Sequence, residues 1–292
     1  MKNTRHKLIE AVERIPQGRV LFSMNDAHYT YKNITDLSNQ FISDYPHLLG
    51  RNCAVVSDDR ESLALFLPAI DNISHSLFLL PNDAECHYDD FLQSAKIDFV
   101  IYLSGCQVSH ISTLSREQSL ELDEPPTYIL ATSGTTGVPK LVSYSLETLL
   151  STAKNDINRG KEFTWGLTYD INRFAGLQVY LQAISSGSTL VVPSSSATIT
   201  EQTSLFSRES VNALSGTPSF WRKLLMEPRH SELQLKRITL GGEISNQSVL
   251  SALSLCYTSA AIVHIYASTE AGVGFVVKDK KLTFLLFGLF LL

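Results

Sequence analysis

The stretch that most constrains this chain is Tyr128-Ile129-Leu130-Ala131-Thr132-Ser133-Gly134-Thr135-Thr136-Gly137-Val138-Pro139-Lys140. A short apolar run, suited to a buried strand, breaks into hydroxyls and glycines and ends on a lysine. Such a loop offers backbone N–H groups, hydroxyl donors and an ammonium to one small space, which suits a polyphosphate. It is not a Walker A loop, which needs four residues between its first glycine and a Gly-Lys-Ser/Thr ending. Here Gly134 and Gly137 stand too close, Pro139 precedes the lysine and Leu141 follows it. Taken alone, the stretch also fits a polar surface turn.

The 292 residues suffice for one large domain or two small ones, and 44% hydrophobic with 18% charged residues reads as globular. A net charge of −5 without a Lys/Arg cluster argues against nucleic acid as a partner. Cys53, Cys86, Cys106 and Cys256 form no Cys-x-x-Cys pair, which points to reduced thiols in a cytoplasmic protein. Leu8–Ile15 reads as an amphipathic helix and not as a signal peptide. No run reaches the roughly 18 apolar residues of a membrane span.

Strand and helix signals then alternate. Strands are expected at 20–23, 53–56, 76–80, 99–103, 163–169, 189–192, 211–214, 237–240 and 261–265. Helices are expected around Ile34–Ile42 and at 58–70, 87–95, 145–158, 176–184, 218–226 and 246–255. The fold class is therefore α/β, with mainly parallel sheets and flanking helices in two layered subdomains. The Ser/Glu/Asp-rich segment 107–127, with Pro125-Pro126, reads as a linker between subdomains at 1–106 and 128–275.

Two further motifs fall at expected strand ends, where open α/β sheets bind ligands. Gly241-Gly242-Glu243 follows the strand 237–240, and Tyr266-Ala267-Ser268-Thr269-Glu270 follows the strand 261–265. Singly, the first fits a tight turn and the second a capped helix start. Together, in this order after the loop ending on Lys140, they resemble the three motifs of the adenylate-forming superfamily. That group comprises acyl- and aryl-CoA ligases, peptide-synthetase adenylation domains and luciferases. Ser215-Gly216-Thr217-Pro218-Ser219 and Arg173-Phe174-Ala175-Gly176-Leu177 resemble other recurrent segments of the family, so the likeness runs from Tyr29 to Gly272.

The resemblance implies roles. Thr132, Ser133, Gly134, Thr135, Thr136, Gly137 and Lys140 would hold the β- and γ-phosphates of ATP. Gly241, Gly242 and Glu243 would line the adenine pocket, Tyr266 would stack on adenine, and Ala267 and Ser268 would complete that wall. Thr269 would bind a phosphate oxygen, and Glu270 would hold Mg²⁺. Lys140, Thr269 and Glu270 are thus the implied catalytic set. A carboxylic acid would be activated as its adenylate and passed to CoA or a pantetheine thiol, with an acyl-carrier protein as the further partner this step allows. The chemistry agrees: displacement at phosphorus depends on positioning and charge neutralisation, and Mg²⁺ needs only one or two protein carboxylates beside phosphates.

The chain departs from the family at Leu141 and Ala267, where glycine is usual, and at Arg173, where many CoA ligases carry histidine. That arginine either alters the carboxylate site or faces solvent. Asp170 lies near an amino-group-binding aspartate of peptide synthetases, but its spacing differs. Apolar Phe174, Ala175, Leu177 and Phe220 fit a fatty or aryl acid pocket and core packing equally. The family's ribose aspartate and C-terminal lysine domain have no counterpart here, and 276–292 is an apolar tail. That tail reads as a shifted or shortened frame, with a buried final strand as the alternative, and either implies reduced activity.

Overall fold

A computed structural model describes residues 7–114, 127–132, 139–268 and 272–277, with 266–268 and 272–277 described as backbone only. Its strands are β1 Val20–Met24, β2 Ala27–Thr30, β3 Asn52–Ser57, β4 Ser76–Leu79, β5 Phe99–Ser104, β6 Gln107–Thr113 and β7 Tyr128–Ala131. They continue as β8 Leu141–Tyr144, β9 Thr164–Gly166, β10 Thr189–Val191, β11 Ala213–Gly216, β12 Arg237–Leu240, β13 Ala261–Ser268 and β14 Gly272–Val277. They form an eight-stranded sheet, β14-β13-β12-β11-β9-β10-β1-β2, and a six-stranded sheet, β6-β5-β3-β4-β7-β8.

Inner pairs are parallel, and each sheet ends in antiparallel strands. The α/β expectation is therefore met by two mixed sheets. Their partition does not follow the expected boundary at 107–127. β1 and β2 join the later strands, while β7 and β8 close the earlier sheet. The start of the expected linker is itself a strand, β6, paired with β5. Its alternation is mostly exposed, as suits an edge strand, and the intervening Gly105 and Cys106 both take positive φ, as a two-residue hairpin requires.

Strand periodicity explains the layering. Cys53, Val55, Leu77, Leu79, Tyr128 and Leu130 enter one core, and the alternate Ala54, Phe78, Leu80, Ile129 and Ala131 enter another. In the larger sheet Leu190 and Ala213 join the first core, while Val191 and Leu214 face a third. The shared core holds the helices Arg60–Ile73 and Phe174–Ser186 between the sheets, joined where Tyr180 donates to the Ala64 carbonyl at 2.7 Å.

The first helix begins at its cap Asp59, which accepts from Ser62 N at 2.6 Å. The expected helix 145–158 is instead two short helices, Leu146–Leu150 and Ile157–Gly160, each with its own cap, Ser145 and Asp156. Between them Gln178 and Gln182 bond the backbone of Leu149 and Lys154, replacing the helical partners. The helix Ile199–Arg208, absent from the sequence expectations, carries a Thr198–Glu201 capping box.

Candidate functional site

The loop between β7 and β8 closes at its base as a hairpin. Ala131 pairs with Leu141, Thr132 N donates to the Lys140 carbonyl at 2.8 Å, and Lys140 N reaches Thr132 Oγ1 at 3.4 Å. Thr132 is buried and Lys140 exposed. Ser133, Gly134, Thr135, Thr136 and Gly137 lie outside the described residues, as do Thr269 and Glu270.

On the other sheet, β11, β12 and β13 run in parallel, so their carboxyl-end loops share one edge. Gly241 N donates to the Gly216 carbonyl at 3.3 Å. Gly242 takes φ +80°, a left-handed conformation that costs glycine nothing. Glu243 Oε2 accepts from Ser219 Oγ at 2.6 Å and Ser219 N at 3.1 Å. The Ser219 hydroxyl bond, with further help from Thr217 and Arg222, holds the Glu243 carboxyl below its ordinary value. His264, on β13 beside Leu240, bonds the backbone of Glu243, and burial holds its imidazole below the usual histidine value. The turn expected to line an adenine pocket is thus fixed by sterics and by bonds from three directions.

The third motif needs a correction. Tyr266, Ala267 and Ser268 are not loop residues: β13 runs through Ser268 and pairs with β14, with an irregularity between Tyr266 and Ala267. Eight residues of strand replace the expected five because β14 folds back to satisfy the backbone groups beyond Ile265. A bulge at that point re-aims the strand, a device common beside ligand sites.

The segment from Thr168 to Arg173 joins the two halves. Thr168 Oγ1 donates to the Ser215 carbonyl, and Tyr169 OH donates to the Gly241 carbonyl at 3.3 Å. Burial drives the Tyr169 hydroxyl far above its ordinary value, so it acts as a neutral donor. Asp170 pairs with Arg60 at 2.9 Å, which leaves it engaged across the layers. Asn172 donates to the Leu80 carbonyl at 2.9 Å, and Arg173 Nη1 to the Ala131 carbonyl at 3.3 Å, with its Nη2 on Asp83. Within six residues the chain touches Gly241 on one sheet and Ala131 on the other.

The strand expected at 163–169 ends at Gly166, and the sequence expectations gave Thr168, Tyr169 and Asn172 no role. The signal was available, since Thr-Tyr-Asp-Ile-Asn-Arg places five hydrogen-bonding side chains directly after a strand. The pocket hints divide: Leu177 is core, Phe174 is partly buried against that same core, and Phe220 is partly buried against the third one. All four cysteines are free. Among the described residues no metal-holding acidic, His or Cys group occurs, and no helix is long and apolar enough to cross a membrane.

The fold is an α/β domain of two mixed sheets with flanking helices. The chain belongs to the AMP-binding enzyme family, whose model matches residues 54–285. It is 29% identical over 174 residues to the dimodular nonribosomal peptide synthase of Bacillus subtilis, covering 56% of this chain and 7% of that protein. It is 32% identical over 157 residues to the D-alanine–D-alanyl carrier protein ligase of Lactococcus lactis, covering 49% of this chain and 30% of the ligase. The chain thus spans less than a third of either curated relative. Among solved structures, the Klebsiella oxytoca NpsA N-terminal subdomain superposes with TM-score 0.71 at 16% identity, over 94% of this chain and 76% of that one. The Bacillus subtilis O-succinylbenzoate coenzyme A synthetase, in complex with ATP and magnesium ion, gives TM-score 0.74 at 16% identity over 95% and 62%.

Proposed function

We propose that this chain binds ATP across its two sheets and activates a carboxylic acid, forming an acyl-adenylate and pyrophosphate, with transfer to a CoA or pantetheine thiol as the second step. The observation that carries this reading is the Thr168–Arg173 segment, which ties the base of the hydroxyl–glycine–lysine loop to the Gly-Gly-Glu turn. Membership in the AMP-binding family supports the same chemistry.

In this reading the larger sheet holds the adenine against Gly241, Gly242 and the carboxyl end of β13, and Lys140 with the preceding loop takes the β- and γ-phosphates. Lys140 is exposed and ends the loop, so its ammonium can follow charge as pyrophosphate departs. Mg²⁺ would be held by Glu270 together with phosphate oxygens, neutralising charge at the α-phosphorus. The protein otherwise contributes alignment of the carboxylate with that phosphorus. The partners in this reading are a small carboxylic acid and a thiol acceptor, free or on a carrier protein.

The test is carboxylic-acid-dependent exchange of labelled pyrophosphate into ATP, screened over aryl, fatty and amino acids with Mg²⁺. Exchange with one acid class, lost in Lys140→Ala, is expected. Release of ADP in place of AMP would assign a kinase-type reaction, and ATP binding without any exchange would leave a nucleotide-binding module.

A further inference from the structure

Arg173 is not needed by that reaction as a ligand, yet it occupies the junction of the site. It caps the helix Phe174–Ser186 from outside its first turn without a side-chain capping bond, which frees its guanidinium to reach the other sheet. There Nη1 donates to the Ala131 carbonyl at 3.3 Å and Nη2 pairs with Asp83. The preceding residue, Asn172, is buried and donates to the Leu80 carbonyl at 2.9 Å. β4 and β7 are parallel neighbours in register, Leu79 beside Leu130. Two consecutive side chains therefore fasten the carboxyl ends of two adjacent strands, and the second end is the one from which Thr132 issues.

The charge balance argues against a direct substrate role. The Arg173 side chain is 31% exposed and already faces a carboxylate on Asp83, itself 74% exposed. Two of its five N–H donors serve Ala131 and Asp83, and the Asp83 carboxylate balances its charge, so a second carboxylate would meet a neutral pair. The planar fork suits both bonds at once, since one edge can satisfy a carbonyl and a carboxylate together, which a single ammonium cannot do in fixed geometry.

We propose that the Arg173–Asp83 pair is a positioning device that sets the base of the β7–β8 loop, and with it Thr132 and Lys140, for the phosphates of the nucleotide. This rests on the ATP reading above. It acts through Ala131 and not by contact with the ligand. A misplacement of about 1 Å at a reacting centre can cost about 100-fold in rate, so the position of this base matters to the site.

The experiment compares the Kd of ATP with that of adenosine by calorimetry on the full chain. Arg173→Ala is expected to weaken ATP about tenfold, the equivalent of one charge-assisted hydrogen bond, and to leave adenosine within about twofold. Arg173→Lys and Asp83→Asn, which keep volume and most polarity, should weaken ATP about threefold in the same selective way. The double variant Arg173→Ala/Asp83→Asn should be no worse than Arg173→Ala alone, because the two residues act as one unit. Parallel loss of ATP and adenosine, unchanged ATP affinity in all three single variants, or additive effects in the double variant would overturn the proposal. If Arg173→Ala does not fold, the Lys and Asn variants decide. Wild-type chain that binds neither ligand would overturn the ATP reading itself, a result distinct from wild-type binding that the variants leave unchanged.

Discussion

The two halves of the candidate site are held by different physics. On the six-stranded sheet the loop base depends on an ion pair, a charge-assisted bond to a backbone carbonyl and a hairpin closure from Thr132 to Lys140. On the eight-stranded sheet the Gly241–Glu243 turn is fixed by a left-handed glycine, hydroxyl bonds and buried aromatic packing, with Trp221 donating to the Thr239 carbonyl at 3.0 Å. The first half is adjustable and sensitive to salt, since partly exposed pairs are screened. The second rests on glycine geometry and on packing beneath an exposed turn. A site that must admit and release a highly charged group while gripping a flat neutral ring would use this division.

The largest effect should come from the element both halves share. A Cβ at Gly176 would lie 2.0 Å from the Asp170 carbonyl oxygen, so backbone must move. Gly176→Ala should cost about 3 kcal/mol by urea denaturation and abolish binding of ATP and adenosine alike. Stability unchanged by that substitution would show that the Thr168–Arg173 segment is not held by the helix start.

Lys140→Ala comes next and should separate the halves. Loss of a charged phosphate contact weakens ATP between about 10- and 100-fold, with adenosine unaffected in the same titration. Tyr169→Phe tests the opposite half. It removes the donor to the Gly241 carbonyl, a bond worth about 1 kcal/mol, and should weaken ATP and adenosine equally, by about fivefold. Selective loss of ATP in Tyr169→Phe would break the division.

The smallest effect concerns pH. His264 is buried and its imidazole titrates below the ordinary value near 6.5, so the unfolded chain takes up the proton first as pH falls. Its contribution to stability is full above that value and is lost as pH falls through the lower folded-state value. Denaturation midpoints of His264→Gln should therefore fall less steeply between pH 7.5 and 5 than those of the wild type. Identical slopes would remove His264 from the account.

Much of the fold was legible because strand interiors alternate between two cores and helices carry their own caps, as Asp59 shows. What escaped was non-local. β6 is polar because it is an edge, and β1 with β2 crosses to a sheet made of distant strands, which no local pattern encodes. The loop ending on Lys140 and the Gly241–Glu243 turn were readable as motifs because their chemistry is compact in sequence. The roles of Tyr169 and Arg173 were not, because each is defined by a carbonyl 72 and 42 residues away.

The most direct measurement is amide hydrogen exchange of the full chain with MgATP and, separately, with adenosine. A single site divided between the sheets predicts that MgATP slows exchange in peptides covering both Ala131–Thr132 with Lys140 and Gly241–Glu243, while adenosine protects only the second. Protection of one segment alone by MgATP, or of both by adenosine, would contradict it.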